Sequence, residues 1–273
     1  MTIFNKKNWI LLKELVKTDF KLRYQESAIG YLWSILRPLL LFAVMYLVFI
    51  RFLRFGQGTP HFAVAMLLGT VVWGFFGEAT NRSLFSIVSR GGLLRKINFP
   101  KTLVILSEVI GALINFGINL VVVLIFILAN GVGISWQIVF IIPLTIELLL
   151  VTMGVSFILA TVYVSFRDIA QIWEVVMQAG FYATPIIYPI SMLLTKGKDI
   201  AALAKYVLIN PLAQIIQDFR SVMIVDKTQT YQTTLQFSGS LIITLIPILL
   251  SLALFIFGLM LFNKKSARFA EIV

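Results

Sequence analysis

Arginine is the residue whose positions in this sequence point most directly to chemistry. Arg37 lies at the start of a long apolar run, and Arg23 interrupts the apolar side of the basic segment before it. The planar guanidinium of arginine forms paired, charge-assisted hydrogen bonds with phosphate. Both positions therefore predict contact with an anionic group, such as a phosphate carried by a lipid. The simpler alternative for Arg23 is a local ion pair with Asp19, four residues earlier on the same helix face.

The sequence has few residues suited to metal binding, nucleotide binding or proton transfer. The sequence has no cysteine and one histidine, His61, with no carboxylate close to it in sequence, so no metal site is predicted. No G-x-x-x-x-G-K-[ST] motif is present, which excludes nucleotide binding by a P-loop, and no cofactor is expected in this chain. Four glutamates lie in or beside apolar runs: Glu78, Glu108, Glu147 and Glu174. Carboxylates in a membrane can relay protons, but these are scattered, which favours structural hydrogen bonding.

The composition predicts that the chain lies in a membrane. Of its 273 residues, 59% are hydrophobic and only 13% are charged, and the mean hydropathy is +0.96. A soluble domain carries about 25% charged residues. We therefore predict an all-α, polytopic membrane protein with a single transmembrane domain over residues 1–273. No cleavable signal peptide is expected, because the first long apolar run follows a polar helix.

Six apolar runs predict six transmembrane helices. They cover residues 31–54, 62–82, 102–129, 136–166, 169–188 and 240–262. The preceding residues 4–30 carry lysines on one side of a helical wheel and leucines on the other, which predicts an amphipathic helix at the membrane interface. Residues 189–238 contain only short apolar pieces and follow TPIIYP, whose two prolines break a helix. They predict re-entrant or interfacial helices on the outer side.

The basic residues predict the orientation. Most lysines and arginines fall on the side that holds both termini, which predicts that this side is cytoplasmic and that the protein lies in the cytoplasmic membrane. This distribution also accounts for the net charge of +11 without any nucleic-acid partner. The basic residues assigned to the opposite side are Arg51, Arg54, Lys196, Lys198, Lys205, Arg220 and Lys227.

Residues 84–100 form the longest loop predicted on the cytoplasmic side, and they predict a docking element for a cytoplasmic partner. Leu93, Leu94 and Ile97 recur at intervals of three and four, so a helix would bring them to one face. Gly91–Gly92 would form the sharp turn into that helix, and Arg95–Lys96 would lie at its rim. A basic anchor at the lipid headgroups is the alternative.

Aromatic residues are frequent along the first predicted span. Tyr31, Tyr46, Phe49 and Phe52 are predicted to line a channel, because flat rings stack on the faces of sugar rings. Aromatic belts at the membrane interface use the same residue types. The sequence leaves both interpretations open.

Several motifs follow one another in a recognisable order. They are Tyr24, Ser27, Gly30, Tyr31, Leu32, Trp33, Arg37 and Pro38, then Arg95, Lys96, Phe99 and Pro100, then Arg167–Asp168, Thr184–Pro189, Asn210–Pro211, Phe269 and Glu271. This order resembles the membrane subunits of type-2 ABC exporters for polysaccharides and polyol phosphates. Exporters of O-antigen, teichoic acid and rhamnose-glucose polysaccharide belong to that family. The resemblance extends over the whole chain.

The resemblance implies a homodimeric permease that pairs with two copies of a separate ATPase subunit, which would bind ATP and Mg. Its substrate would be a glycan on a polyprenyl pyrophosphate lipid, and membrane lipids would surround it. Arg23, Tyr24 and Arg37 would meet the pyrophosphate, while coupling to the ATPase would involve Gly91, Gly92, Leu93, Leu94, Arg95, Lys96, Ile97, Arg167 and Asp168.

Three alternatives remain open at this point. They are a drug or lipid exporter of the same superfamily, a proton-coupled secondary transporter that uses the membrane glutamates, and a membrane glycosyltransferase. The absence of an acidic metal-binding motif in the loops disfavours the last of these.

Overall fold

The computed structural model of the chain describes residues 5–24, 30–133, 135–194, 204, 206–225 and 231–269, without the side chains of residues 20, 22–24, 31 and 194. In these ranges the backbone forms helices and one isolated antiparallel bridge, between Gly133 and Val225. The helices are α1 (Lys6–Tyr24), α2 (Trp33–Met45), α3 (Phe62–Ser89), α4 (Gly91–Lys96), α5 (Thr102–Ala129), α6 (Ile141–Ser165), α7 (Ile169–Ala183), α8 (Ser191–Leu194), α9 (Pro211–Met223), α10 (Thr234–Ser238) and α11 (Leu241–Ser266). Short 3₁₀ helices cover Gly30–Leu32 and Trp136–Phe140, and a π-helix covers Tyr46–Phe52.

Five of the described helices are long and apolar enough to cross a membrane: Trp33–Phe52, Phe62–Ser89, Thr102–Ala129, Trp136–Ser165 and Leu241–Ser266. They confirm the prediction of an all-helical, polytopic membrane protein. The predicted fifth span, residues 169–188, corresponds to α7. Its length is about 22 Å at 1.5 Å per residue, whereas the hydrocarbon core is about 30 Å thick. A count of six spans therefore stays a prediction.

Two helices continue past the predicted ends of their spans. Helix α3 ends at Ser89 rather than near residue 82, and α11 ends at Ser266 rather than near residue 262. Hydropathy marks where apolar side chains stop, but polar residues such as Asn81 and Arg82 continue the helix just as well. The predicted cytoplasmic loop therefore begins as the last turns of α3, and only its second part forms the separate helix α4.

Helices α6 and α11 are in direct backbone contact at two glycines. A Cβ atom placed on Gly258 would lie 2.3 Å from the carbonyl oxygen of Gly154, and one placed on Gly154 would lie 2.6 Å from the carbonyl carbon of Leu254. Small residues allow such an approach between helices in a membrane, where packing rather than the hydrophobic effect drives association. These two glycines fix the last span against the fourth.

Side chains of distant helices donate to backbone carbonyls at two proline-containing segments. Within α2, Pro38 has no N–H and removes the helical donor for the carbonyl of Ser34, and the side-chain amide of Asn119 in α5 donates to that oxygen at 3.2 Å. The TPIIYP turn follows the end of α7 at Ala183, so the carbonyl of Pro185 lies outside a helix. Arg220 of α9 donates to that oxygen at 2.6 Å.

Arg220 corrects one detail of the charge analysis. The sequence places it among the exposed basic residues of the outer side, but its side chain is only 1% exposed. Its guanidinium also donates to the carbonyls of Ala65 and Ile186, each at 3.0 Å, so it ties α9 to α3 and to the proline turn. Burial lowers the pKa of Arg220 to about 10, and the group therefore stays charged at neutral pH.

We expect Gly154→Ala to separate α6 from α11. The added methyl group overlaps backbone atoms that cannot rotate away, so the free energy of unfolding should fall by roughly 1–3 kcal/mol. Thermal unfolding of the purified protein in detergent measures this. Gly117→Ala in α5 is the matched control, because a Cβ atom there meets nothing within 4 Å. Equal melting temperatures for the two variants would contradict the packing argument.

Candidate functional site

Five charged side chains form a continuous ionic chain that joins α1, α3 and α5. One terminal nitrogen of Arg90 lies 2.5 Å from the carboxylate of Asp19 and 2.6 Å from Oε1 of Glu108. The second oxygen of Glu108 lies 3.1 Å from Nε of Arg82. Arg82 in turn lies 3.6 Å from Glu78, one helical turn earlier on α3. The charges alternate in sign, so each arginine lies between two carboxylates, and the three carboxylates outnumber the two arginines by one.

The ionic chain changes the interpretation of Asp19. The sequence suggests a local pair between Asp19 and Arg23, whereas the structure places Arg90, far along the chain, on the Asp19 carboxylate. The side chains of Arg23 and Tyr24 lie outside the described residues. Arg90 also begins α4, because its backbone carbonyl accepts hydrogen bonds from the N–H groups of Leu93 and Leu94. One residue therefore connects the interface helix α1, helix α5 and the start of α4.

Helix α4 presents a smaller surface than the sequence predicts. Leu94 is only 6% exposed and packs in the core, whereas Ile97 is 49% exposed. The expectation that Leu93, Leu94 and Ile97 share one accessible face therefore does not hold for Leu94. The bend after Lys96 separates Ile97 from Leu94, because Ile97 has an extended backbone and leaves the helix. Arg95, Lys96 and Ile97 form the exposed part, together with Gly92.

The predicted brace at Arg167 and Asp168 connects to α3 through Tyr163 of α6. The guanidinium of Arg167 stacks on Tyr163 at 4.8 Å from the ring centre, and Tyr163 meets Phe85 edge to face with ring centres 5.0 Å apart. Phe85 lies in the last turns of α3, just before Arg90. Asp168 is exposed at the start of α7.

The described parts of both terminal regions lie at this same end of the bundle. Lys101, which precedes α5, donates to the backbone carbonyl of Ser266 at the end of α11 and lies 5.9 Å from the ring centre of Phe269. Asp19 of α1 reaches Arg90 beside α4. This arrangement agrees with the expectation that the termini and residues 84–100 share one side of the membrane.

Arg37, an exposed residue of α2, lines a half-open cavity of about 610 Å³ between α2, α3 and α5. Arg82 of α3 lines the same cavity. Glu78 lies beside Arg82, and the amide of Asn115 donates to both carboxylate oxygens of Glu78, at 2.9 Å and 3.2 Å. The lining residues are Trp33, Ser34, Arg37, Pro38, Leu41, Thr70, Val71, Gly74, Phe75, Gly77, Glu78, Asn81, Arg82, Asn115, Phe116 and Asn119. A cavity with two guanidinium groups and several amides is suited to a polar anion.

The aromatic residues of the first span do not share one face. Tyr46 and Phe49 pack partly against the core, whereas Phe52 is 78% exposed. All three lie in the π-helix, where the N–H of Leu53 bonds to the carbonyl of Val48, five residues earlier. Such a helix turns by less per residue than an α-helix, so the predicted spacing no longer aligns the rings. The side chain of Tyr31 lies outside the described residues.

A second polar cluster lies at the opposite end of the bundle, around Asp218 of α9. The amide of Gln214 donates to one Asp218 oxygen at 2.7 Å, and the N–H of Thr234 donates to the other at 2.6 Å. Burial raises the pKa of Asp218 above its usual value. Glu147 of α6 is buried next to Gln214. Glu174 is exposed on α7, so the four membrane glutamates have three different environments.

Sequence reasoning missed Arg82, Arg90, Asn115 and Asn119 as site residues. A signal for most of them was present, because Glu78 and Arg82, and likewise Asn115 and Asn119, are polar pairs four residues apart within apolar helices. Pairs at this spacing lie on one helix face, and polar residues inside a membrane face the protein interior. The long-range partner of Arg90 has no such local signal.

The bundle and its polar cavity define a multi-pass helical membrane protein. Comparison with known proteins identifies the class more closely. Residues 10–224 match the ABC-2 type transporter family, and the chain belongs to this family, whose members are membrane subunits of transporters rather than enzymes.

Named relatives extend the match along the chain. An O-antigen export system permease protein, RfbA, of Klebsiella pneumoniae is 32% identical, over 96% of this chain and 95% of its own length. A second RfbA protein of the same organism is 29% identical over the same shares of both chains. RfbA of Myxococcus xanthus is 30% identical over 78% of this chain and 79% of its own length.

We expect Arg90→Gln to break the ionic chain at its most connected member. Asp19 and Glu108 would lose a cation in a poorly hydrated site, so the free energy of unfolding should fall by about 3 kcal/mol. Arg95→Gln removes the same charge from the exposed surface of the adjacent helix and serves as the control. Thermal unfolding in detergent should show a clear loss for Arg90→Gln only, and similar melting temperatures for both variants would contradict the assignment.

Proposed function

We propose that this chain is the transmembrane subunit of an ATP-driven ABC exporter that moves a lipid-linked polysaccharide across the cytoplasmic membrane for cell-envelope assembly. The polymer would be carried on polyprenyl pyrophosphate, and O-antigen is the substrate class that the relatives favour. A teichoic-acid-like polymer is the closest alternative within the same mechanism. The observation that carries the proposal is the similarity to O-antigen export permeases over nearly the whole length of both chains.

The lipid-linked form of the substrate is supported by the cavity. Arg37 contributes a guanidinium to a pocket between α2, α3 and α5, on the side of the bundle that holds α4. A pyrophosphate is the charged part of such a lipid, and arginine binds it through paired hydrogen bonds. Arg23 and Tyr24 remain part of this proposal through the sequence motif alone.

ATP hydrolysis would take place on a partner subunit, present in two copies, which would bind ATP and Mg. The assignment of ATP hydrolysis to a partner subunit is supported by the lack of a P-loop in the present chain. Helix α4 and the residue after it would dock on that partner, chiefly through Arg95 and Lys96 of the helix and the exposed Ile97 that follows it. Arg167 and Asp168 would support the contact from the turn before α7.

A second copy of the chain would complete the channel. Almost none of the first span is buried within the subunit, and its exposed residues are largely apolar: Leu40, Leu41, Val44, Leu47, Val48 and Phe52. The proposed arrangement has six spans, with α7 as the fifth, and both termini in the cytoplasm. Helix α9, with 13 residues, would be a re-entrant or interfacial element on the outer side.

Deleting the gene for this chain in its own organism should abolish the polysaccharide on the cell surface, and the lipid-linked polymer should accumulate inside the cell. Extraction of lipid-linked glycans and surface labelling of the polymer measure the two effects. Expression of the wild-type chain should restore export. Normal surface polysaccharide in the deletion strain, with increased sensitivity to drugs, would instead identify a drug exporter of the same superfamily.

We expect Ile97→Asp to disrupt coupling without unfolding the permease. The substitution places a charge on the exposed part of α4, where an apolar contact with the ATPase is proposed. The variant should accumulate to the normal level in the membrane but lose the ATPase on co-purification and lose export. Leu94→Asp tests the core position beside it and should lower the protein level instead, because Leu94 is buried. If Ile97→Asp retains its ATPase and exports normally, α4 is not the docking element.

A further inference from the structure

Arg82 shares the cavity with Arg37 but belongs to a different helix. Arg37 comes from α2 and Arg82 from the last turns of α3. The cavity is large enough for more than one phosphate group, at about 610 Å³. A pyrophosphate that joins a lipid to a sugar carries one negative charge on each of its two phosphates. One guanidinium balances only half of that charge, so the site needs a second cation.

The ion pairs of Arg82 hold it in place and leave donors available. Its Nε lies 3.1 Å from Glu108, whose side chain is only 8% exposed, and this contact fixes the orientation of the guanidinium. The contact between its terminal nitrogen Nη1 and Glu78 is longer, at 3.6 Å, and both side chains are about 30% exposed. Ion pairs of that kind contribute little stability. An arginine has five N–H donors, so the terminal nitrogens can bind a ligand while Nε keeps Glu108.

Glu78 has another partner when Arg82 turns to a ligand. The Asn115 amide donates to its carboxylate at 2.9 Å and 3.2 Å, and Asn115 comes from α5, the helix opposite Arg82 in the cavity. The exchange of Glu78 for a phosphate therefore leaves no buried carboxylate without a hydrogen bond. It also replaces a long contact by a bidentate, charge-assisted one.

We propose that Arg82 is the second phosphate-binding residue of the cavity, and that a diphosphate headgroup bridges Arg37 and Arg82 by displacing Glu78. This inference rests on the proposed function, in which the substrate is a lipid diphosphate. It adds two specific consequences. The site distinguishes a diphosphate from a monophosphate because it has two guanidinium groups, and Glu78 competes with the ligand for Arg82.

The test measures binding of farnesyl diphosphate and farnesyl monophosphate to the full-length permease in nanodiscs by isothermal titration calorimetry. The wild-type protein should prefer the diphosphate. Arg82→Gln should weaken diphosphate binding about ten- to hundredfold and remove most of that preference. Arg82→Lys retains a cation for Glu108, and with it the fold, but should lose much of the preference because it lacks the guanidinium fork.

Glu78→Gln provides the complementary variant. A glutamine still accepts a hydrogen bond from Asn115 but no longer competes as an anion for Arg82, so diphosphate affinity should rise severalfold. A gain in affinity cannot result from misfolding. Arg51→Gln is the control, because it removes an arginine charge from the first span, outside the cavity lining. It should bind both probes like the wild type.

The outcomes separate this inference from the proposed function. If diphosphate binding depends on Arg37 but is unchanged in both Arg82 variants, or if Glu78→Gln weakens it, the role of Arg82 is refuted and the lipid-diphosphate substrate stands. If the wild-type protein shows no preference for the diphosphate, the substrate class in the proposed function fails, and this inference fails with it.

Discussion

In an apolar bundle every backbone carbonyl needs a donor from within the protein, and this constraint determines much of the present structure. Pro38 deprives the carbonyl of Ser34 of its helical partner, and the turn after α7 leaves the carbonyl of Pro185 outside any helix. A side chain from a distant helix supplies the donor in both cases, Asn119 for the first and Arg220 for the second. These carbonyls therefore connect their segments to α5 and α9.

The same requirement organises the charged residues. Removing a charge from water costs several kcal/mol unless an opposite charge or several hydrogen bonds replace the lost hydration. The ionic chain meets this requirement by alternation of sign from Asp19 to Glu78, and Arg220 meets it with three carbonyls. Polar residues of α3 and α5 thus place the first three long helices around the cavity, and Arg220 places α9 against α3 at the other end.

The sequence was sufficient for the parts of the fold that depend on local pattern. Apolar length correctly predicted α-helical membrane spans at α2, α3, α5, α6 and α11, because hydropathy is a sum over neighbouring residues. The ends of α3 and α11 were less accurate, since a helix need not stop where its apolar residues stop. The pairing of Asp19 with Arg90 and the burial of Leu94 depend on contacts between distant segments. Hydropathy and helical phase contain no information about these contacts.

The candidate site residues also divide into those that local pattern could identify and those that only contacts between distant segments reveal. Arg37 could be selected from its position at the start of an apolar run, and the structure places it in a cavity. The spacing of Arg82 from Glu78 marks it as part of a polar helix face, but only the arrangement of α2 and α3 shows that it lines the same cavity as Arg37. Tyr46, Phe49 and Phe52 do not share one face, because they lie in a π-helix that no feature of the sequence marks. Their role as channel lining stays a prediction.

The π-helix changes the direction that the second half of the first span faces. A π-helical turn contains one more residue than an α-helical turn, and one residue corresponds to about 100° of rotation in an α-helix. The half of the span before Tyr46 and the half after it therefore have different rotational phases. The half before Tyr46 keeps Ser34 in contact with α5 and Arg37 in the cavity, while the half after it turns Phe52 away from the bundle. The two halves of the first span therefore face different surfaces, whereas in a regular α-helix with this sequence both halves would keep one rotational phase.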